Sequence, residues 1–96
     1  MPPNPEEPNA LADIRTDAEN GDADAQNSLG RMYFLGREVA RDDVEAFKWY
    51  LLAGAQGINS ATERIWLIED NLTAAQQAEG QRLAREWKPK IQRMAQ

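Results

Sequence analysis

The 96-residue sequence contains neither cysteine nor histidine. Without cysteine there is no disulfide framework and no thiolate nucleophile, and without both residue types the usual zinc-ligand sets are excluded. The Ser-His-Asp triad, the Cys-His pair and any imidazole general base are excluded as well. Because these absences remove most mechanisms open to a small enzyme, we expect no catalytic residue, no bound metal and no cofactor.

Long hydrophobic runs are also missing. The longest apolar run covers residues 49–53, which is far shorter than the ~20 residues that a membrane span needs. Residues 1–5 have neither the basic region nor the apolar region of a secretory signal. The sequence therefore predicts a soluble protein, with the cytoplasm as the expected compartment, although an exported chain that has lost its signal peptide would look the same.

Acidic residues outnumber basic ones by 16 to 11, which gives a net charge of −5 and argues against nucleic-acid binding. Residues 1–24 carry seven acids and one arginine, whereas residues 80–96 carry five bases and one glutamate. One interpretation is that acids suit the start of a helical protein and bases the end of its last helix. The other is that oppositely charged ends join copies of the chain, or extend another repeat protein, in a weak and salt-sensitive association.

Helix start and stop signals predict an all-α chain of about five helices. Asp22 is a predicted N-cap for the second helix, and Pro89 is expected to stop or kink the last one. The capping-box pattern precedes the third, fourth and fifth helices, and helix-ending glycines follow the first, second and third. The capping boxes are Asp42 with Glu45, Ser60 with Glu63 and Thr73 with Gln76, and the glycines are Gly21, Gly36 and Gly57.

The sequence also repeats itself at an offset of 36 residues. Eight pairs of similar size and polarity align: Ala10/Ala46, Leu11/Phe47, Ile14/Tyr50, Ala18/Gly54, Gly21/Gly57, Ala25/Ala61, Leu29/Ile65 and Met32/Ile68. They fall at predicted helix-packing or turn positions. Because one helical hairpin cannot bury its apolar face alone, this pattern predicts hairpins stacked into an α-solenoid.

The central part of the chain resembles one complete Sel1-like repeat, a family related to the tetratricopeptide repeats. The residues that carry the resemblance are Ala25, Gln26, Leu29, Gly30, Tyr33, Gly36, Val39, Ala46, Trp49, Tyr50, Ala53 and Gly57. Glu38 departs from the family pattern, which usually has a second glycine in this loop. The resemblance implies a short right-handed α/α solenoid with four segments: a Pro-rich extended arm (1–8), a half-repeat capping helix (9–21), the complete repeat (22–57), and a degenerate last repeat with a closing helix (58–96).

In the related family, the first helix of each hairpin lines a concave groove that binds peptides. The motif register then places seven side chains outward on the second and fourth helices, namely Asp24, Asn27, Arg31, Phe34, Glu63, Leu67 and Asp70. We expect the amide and guanidinium to bind the backbone or a carboxylate of a peptide, and the two apolar residues to take its side chains. The competing interpretation is that Phe34 packs under the Gly36 loop and the polar residues are merely solvated.

Trp66 has two interpretations as well. It belongs to four consecutive large apolar residues, 65–68, which one helix–helix contact cannot cover on all sides. Either the closing helix covers Trp66, which is the favoured interpretation, or Trp66 is an exposed anchor for a partner. Trp49, by contrast, is expected in the core.

The resemblance favours a non-catalytic protein-protein interaction module, either an adaptor or a small accessory subunit. The alternative from another class is a small hydrolase that uses carboxylates, such as the adjacent acids 42–43 or 69–70. Adjacent acids at helix ends are usually solvated, and the sequence shows no convergent site for such chemistry.

Overall fold

The computed structural model describes residues 10–90, which form five α-helices and no strand. The helices are α1 (Ala10–Glu19), α2 (Ala23–Leu35), α3 (Asp43–Ala55), α4 (Asn59–Glu69) and α5 (Ala74–Glu86). The all-α solenoid that the sequence predicts is confirmed. The predicted Pro-rich arm, residues 1–8, lies outside the described residues.

Helix α3 is the centre of the fold, since α2, α4 and α5 all pack on it, while α1 packs on α2. Its buried residues are Ala46, Phe47, Trp49, Tyr50 and Ala53. Phe47 and Tyr50 belong to one core cluster, which they share with α4, and Trp49 belongs to a second, which it shares with α1 and α2. The three aromatic residues of α3 thus connect the two halves of the core.

Two helical glycines allow α2 and α5 to come close to the aromatic rings of α3. A Cβ atom at Gly30 would lie 2.9 Å from the Tyr50 ring, and one at Gly80 would lie 2.5 Å from Cδ2 of Phe47. Both distances are shorter than van der Waals contact. Glycine at these positions therefore sets how tightly the helices pack.

The N-terminal caps of α2 and α5 are as predicted. Oδ1 of Asp22 accepts a hydrogen bond from the Ala25 N–H at 2.8 Å. Thr73 and Gln76 form a complete capping box, in which each side chain accepts from the other residue's backbone N–H. These bonds satisfy N–H groups that have no partner within the helix.

The other two predicted capping boxes need correction. The Asp42 side chain accepts a hydrogen bond from the Glu45 N–H at 3.0 Å. The Asp42 N–H, however, donates to the Tyr33 carbonyl and not to the Glu45 side chain, so the second hydrogen bond of the capping box is not formed. The Ser60–Glu63 box is wrong. Helix α4 begins two residues earlier, with Ile58 as an N-cap that has no side-chain hydrogen bond, and Ser60 already lies inside the helix.

The end of α5 folds back onto the first two helices. The helix ends at Glu86, before Pro89, and Trp87 packs edge-on against Trp49 with ring centroids 6.4 Å apart. The Lys90 N–H then donates to the Glu19 carbonyl at 2.8 Å. This closing segment, residues 87–90, therefore connects the last helix to the end of α1.

The loop between α2 and α3 contains Glu38 with φ 63°, and Glu38 is the one non-glycine residue with positive φ among residues 10–90. Glu38 is the residue that departs from the family pattern by replacing a glycine. Glu38 adopts a left-handed backbone conformation that glycine tolerates freely, at a cost of roughly 1–2 kcal/mol for a residue with a Cβ atom.

Gly80→Ala is expected to lower the free energy of unfolding by about 1–3 kcal/mol, because the added methyl group must displace the buried Phe47 ring or the whole of α5. This loss exceeds the gain of about 1 kcal/mol in helix propensity. Chemical denaturation measures it, with the exposed neighbour Gln81→Ala as the control, expected within about 0.5 kcal/mol of wild type. A Gly80→Ala protein as stable as wild type would contradict the close packing of α5.

Glu38→Gly is expected to raise the free energy of unfolding by about 0.5–1 kcal/mol, since relief of the left-handed strain outweighs the extra chain entropy of glycine. The same change at the neighbouring Arg37, whose φ is not positive, is expected to lower stability by a similar amount. Thermal and denaturant unfolding of both variants measure these changes in the free energy of unfolding, which are expected to have opposite signs.

Candidate functional site

The candidate site is the face formed by α2 and α4, and all six binding residues predicted from the sequence lie on these two helices. Asn27 and Phe34 are half-buried, whereas Arg31, Glu63, Trp66 and Leu67 are exposed. Trp66 and Leu67 are exposed by 65% and 67%, which is unusual for large apolar side chains. This face therefore combines hydrogen-bonding groups with accessible apolar surface.

Helices α2 and α4 meet at an offset of 33 residues, not 36. Nδ2 of Asn27 donates to Oγ of Ser60 at 3.1 Å, and Phe34 and Leu67 line one pocket. The offset of 36 relates equivalent positions, such as the N-caps Asp22 and Ile58, but the stagger of the two helices decides which side chains are neighbours. Glu63, which the sequence repeat equates with Asn27, is consequently not its hydrogen-bond partner.

A small pocket lies between α2 and α4, with a volume of about 60 Å³. Its lining consists of Phe34, Tyr50, Arg64, Leu67 and Ile68. Sequence reasoning identified Phe34 and Leu67 but missed the other three residues. The 36-residue repeat marks Tyr50 and Ile68 as packing residues, and only the stagger of the helices brings Arg64 to the pocket.

The hydroxyl of Tyr50 is the most unusual group in this pocket. Tyr50 is only 1% exposed, and its hydroxyl is buried without a hydrogen-bond partner among residues 10–90. Burial raises the pKa of Tyr50 above its ordinary value, while the positive charges of Arg64 and Arg31 act in the opposite direction. The phenol is thus a neutral donor next to two cationic side chains.

A second buried polar atom without a partner lies on the same face. The amide nitrogen of Asn27 bonds to Ser60, but its oxygen, Oδ1, is buried and has no partner among the described residues. Buried polar atoms are almost always hydrogen-bonded in folded proteins, because leaving one unpaired costs about 1–3 kcal/mol. A hydrogen-bond donor placed next to Oδ1 of Asn27, or an acceptor placed next to the Tyr50 hydroxyl, would therefore stabilise the protein.

The structure supports part of each interpretation of Phe34. The ring packs against the core cluster and lies under the Arg41 guanidinium, 5.3 Å from the ring centroid, so it has a structural role beside the loop. It also lines the pocket between α2 and α4. Phe34 is thus a rigid wall of the site and not a mobile surface residue.

The favoured interpretation of Trp66 is wrong, because the closing helix does not cover it. Helix α5 packs on α3 through Gly80, and the outer side of α4 stays exposed. Trp49 is buried, at 3% exposure, which confirms that it belongs to the core.

The charged groups that suggested other functions have local roles in the described part of the chain. Asp42 caps α3, and Asp43 pairs with Arg41 at 3.0 Å. Nζ of Lys90 lies 3.7 Å from the carboxylate of Glu19, so acidic and basic ends of the sequence meet within one molecule. Residues 10–90 contain no cluster of acidic side chains that could hold a metal ion, and none of their helices has the length and apolarity of a membrane span.

Comparison with known proteins identifies the central hairpin. The family model of the Sel1 repeat matches residues 23–58, which begin with α2 and end just after α3. No curated protein and no solved structure shows significant similarity to the chain. The hairpin formed by α2 and α3 therefore matches one complete Sel1 repeat, which is consistent with a Sel1-like repeat protein.

Proposed function

We propose that this protein is a non-catalytic interaction module that binds an extended segment of a partner protein along the face formed by α2 and α4. Sel1 repeats are in general protein-protein interaction modules. The observation that carries the proposal is the pocket between α2 and α4, whose walls include Phe34 and Leu67, on the same face as Asn27 and the exposed Arg31.

The face offers the three kinds of contact that an extended peptide requires. Asn27 accepts from a peptide N–H, and Arg31 donates to a peptide carbonyl or carboxylate. The walls made by Phe34 and Leu67 take an apolar side chain. Because the helices hold these groups rigidly, binding requires little ordering of the module itself.

Trp66 extends this surface around α4. Its exposed ring neighbours Leu67 in sequence, and exposed tryptophans are frequent anchors in protein interfaces. A partner that binds in the groove and also covers Trp66 would hold the module firmly, as an adaptor or a small accessory subunit requires.

The proposal predicts that Asn27→Ala combined with Arg31→Ala weakens partner binding by about tenfold or more, because two polar contacts are lost. Affinity capture from an extract of the source organism, followed by mass spectrometry and titration of the captured protein, measures the loss. Ser60→Ala is the matched control, since it breaks the same Asn27–Ser60 bond without removing the acceptor. Arg85→Ala, exposed on α5, controls for the loss of charge.

All variants are first compared by thermal unfolding, so that a loss of binding is not a loss of folding. Equal affinity of the double variant and the controls would contradict a site on the face of α2 and α4. If Trp66→Ala alone abolishes capture in that case, the interface lies on the outer side of α4.

A further inference from the structure

We propose that Tyr50, Arg31 and Arg64 form a carboxylate-binding subsite, and that its occupant is an aspartate or glutamate side chain of the bound segment. The inference deepens the proposed function and rests on it for the source of the carboxylate. The subsite itself follows from the donor groups that surround the pocket.

The Tyr50 hydroxyl supplies the first argument. Tyr50 lines the pocket, and its buried hydroxyl has no hydrogen-bond partner among residues 10–90. Gly30 packs against the ring of this tyrosine, which leaves the ring little freedom to turn its hydroxyl elsewhere. The phenol is therefore a donor beside the pocket whose hydrogen-bonding capacity the described residues leave unused.

The two arginines supply the second argument. Neither Arg31 nor Arg64 forms an ion pair with a residue in the described part of the chain, whereas Arg41 and Arg82 each bind a carboxylate at 3.0 Å or less. Arg64 lines the pocket, and the 33-residue stagger that brings Asn27 to Ser60 and Phe34 to Leu67 places Arg31 opposite Arg64. Two unpaired guanidinium groups around a neutral donor favour an anion with more than one oxygen.

The size and the walls of the pocket agree with a carboxylate. Its volume of about 60 Å³ equals roughly two water molecules at ~30 Å³ each, which suits a small planar anion. Phe34, Leu67 and Ile68 supply apolar walls, and an ion pair in contact with apolar walls is stronger than one in water.

A side chain fits the groove better than a chain terminus. Binding groups continue on both sides of the arginines: Asn27 lies about one helical turn before Arg31, and Phe34 and Leu67 lie about one turn after Arg31 and Arg64. A segment that reaches both sets of groups passes through the subsite. The carboxylate is then a side chain of an internal residue.

A ligand titration tests the subsite without any partner protein. The protein, labelled with ¹³C in its tyrosine rings, is titrated with N-acetyl-glutamate methylamide at constant ionic strength and observed by NMR. We expect a saturable shift of the Tyr50 resonance with a Kd of about 1–10 mM, and none with N-acetyl-glutamine methylamide. Tyr33, whose hydroxyl is already bonded to Arg15, serves as the internal reference.

Variants then identify the donors. Arg31→Gln and Arg64→Gln are each expected to weaken glutamate binding by about tenfold, while Arg85→Gln on α5 leaves it unchanged. Tyr50→Phe is expected to weaken binding as well, with the Gly30 amide resonance as the reporter. Because this change removes only an unpaired hydroxyl, the variant should unfold at the same temperature as wild type or a higher one.

The proposal is overturned if Tyr50 shows no saturable shift, or if the glutamine ligand shifts it equally. Equal binding by the arginine variants would overturn it too. Tighter binding of N-acetyl-alanine, which presents a terminal carboxylate, would show that the subsite prefers a chain terminus and would overturn the side-chain occupant. In each case the capture experiment still decides independently whether the face of α2 and α4 binds a protein.

Discussion

The close approach of α2 and α5 to the aromatic rings of α3 is the constraint on which the rest of the structure depends. Phe47 and Tyr50 have no room for a Cβ atom at Gly80 and Gly30, so both helices lie directly against ring surfaces. Such contacts bury a large apolar area with few residues, which matters in a chain this short because small domains bury a limited fraction of their surface. The positions of α2, α4 and α5 follow from the packing on α3, and α1 in turn packs on α2.

The same packing produces the candidate site. With its ring against Gly30, Tyr50 extends from the core to the groove between α2 and α4, and it places a hydroxyl where the core offers no acceptor. A phenylalanine would pack equally well, so the hydroxyl contributes nothing to the fold that the ring does not already provide.

Local signals in the sequence predicted the helices well, because caps and left-handed glycines depend on a few neighbouring residues. Asp22 and Thr73 cap helices as expected, and the buried Trp49 followed from the Sel1 resemblance. Contacts between helices were predicted poorly. The 33-residue stagger of α2 and α4, and hence the role of Arg64, depends on how two helices cross, which no repeat offset encodes. Trp66 was misjudged for the same reason.

The closing segment changes how the chain is expected to unfold. In a longer solenoid each repeat contacts only its neighbours, so the ends can open separately. Here Trp87 packs on Trp49, and Lys90 bonds to Glu19, which connects the last described residues to the first helix. Opening the end of α5 therefore also exposes part of the core beneath α1 and α2. This small array should lose its structure in one cooperative step, like a globular domain, instead of fraying one hairpin at a time.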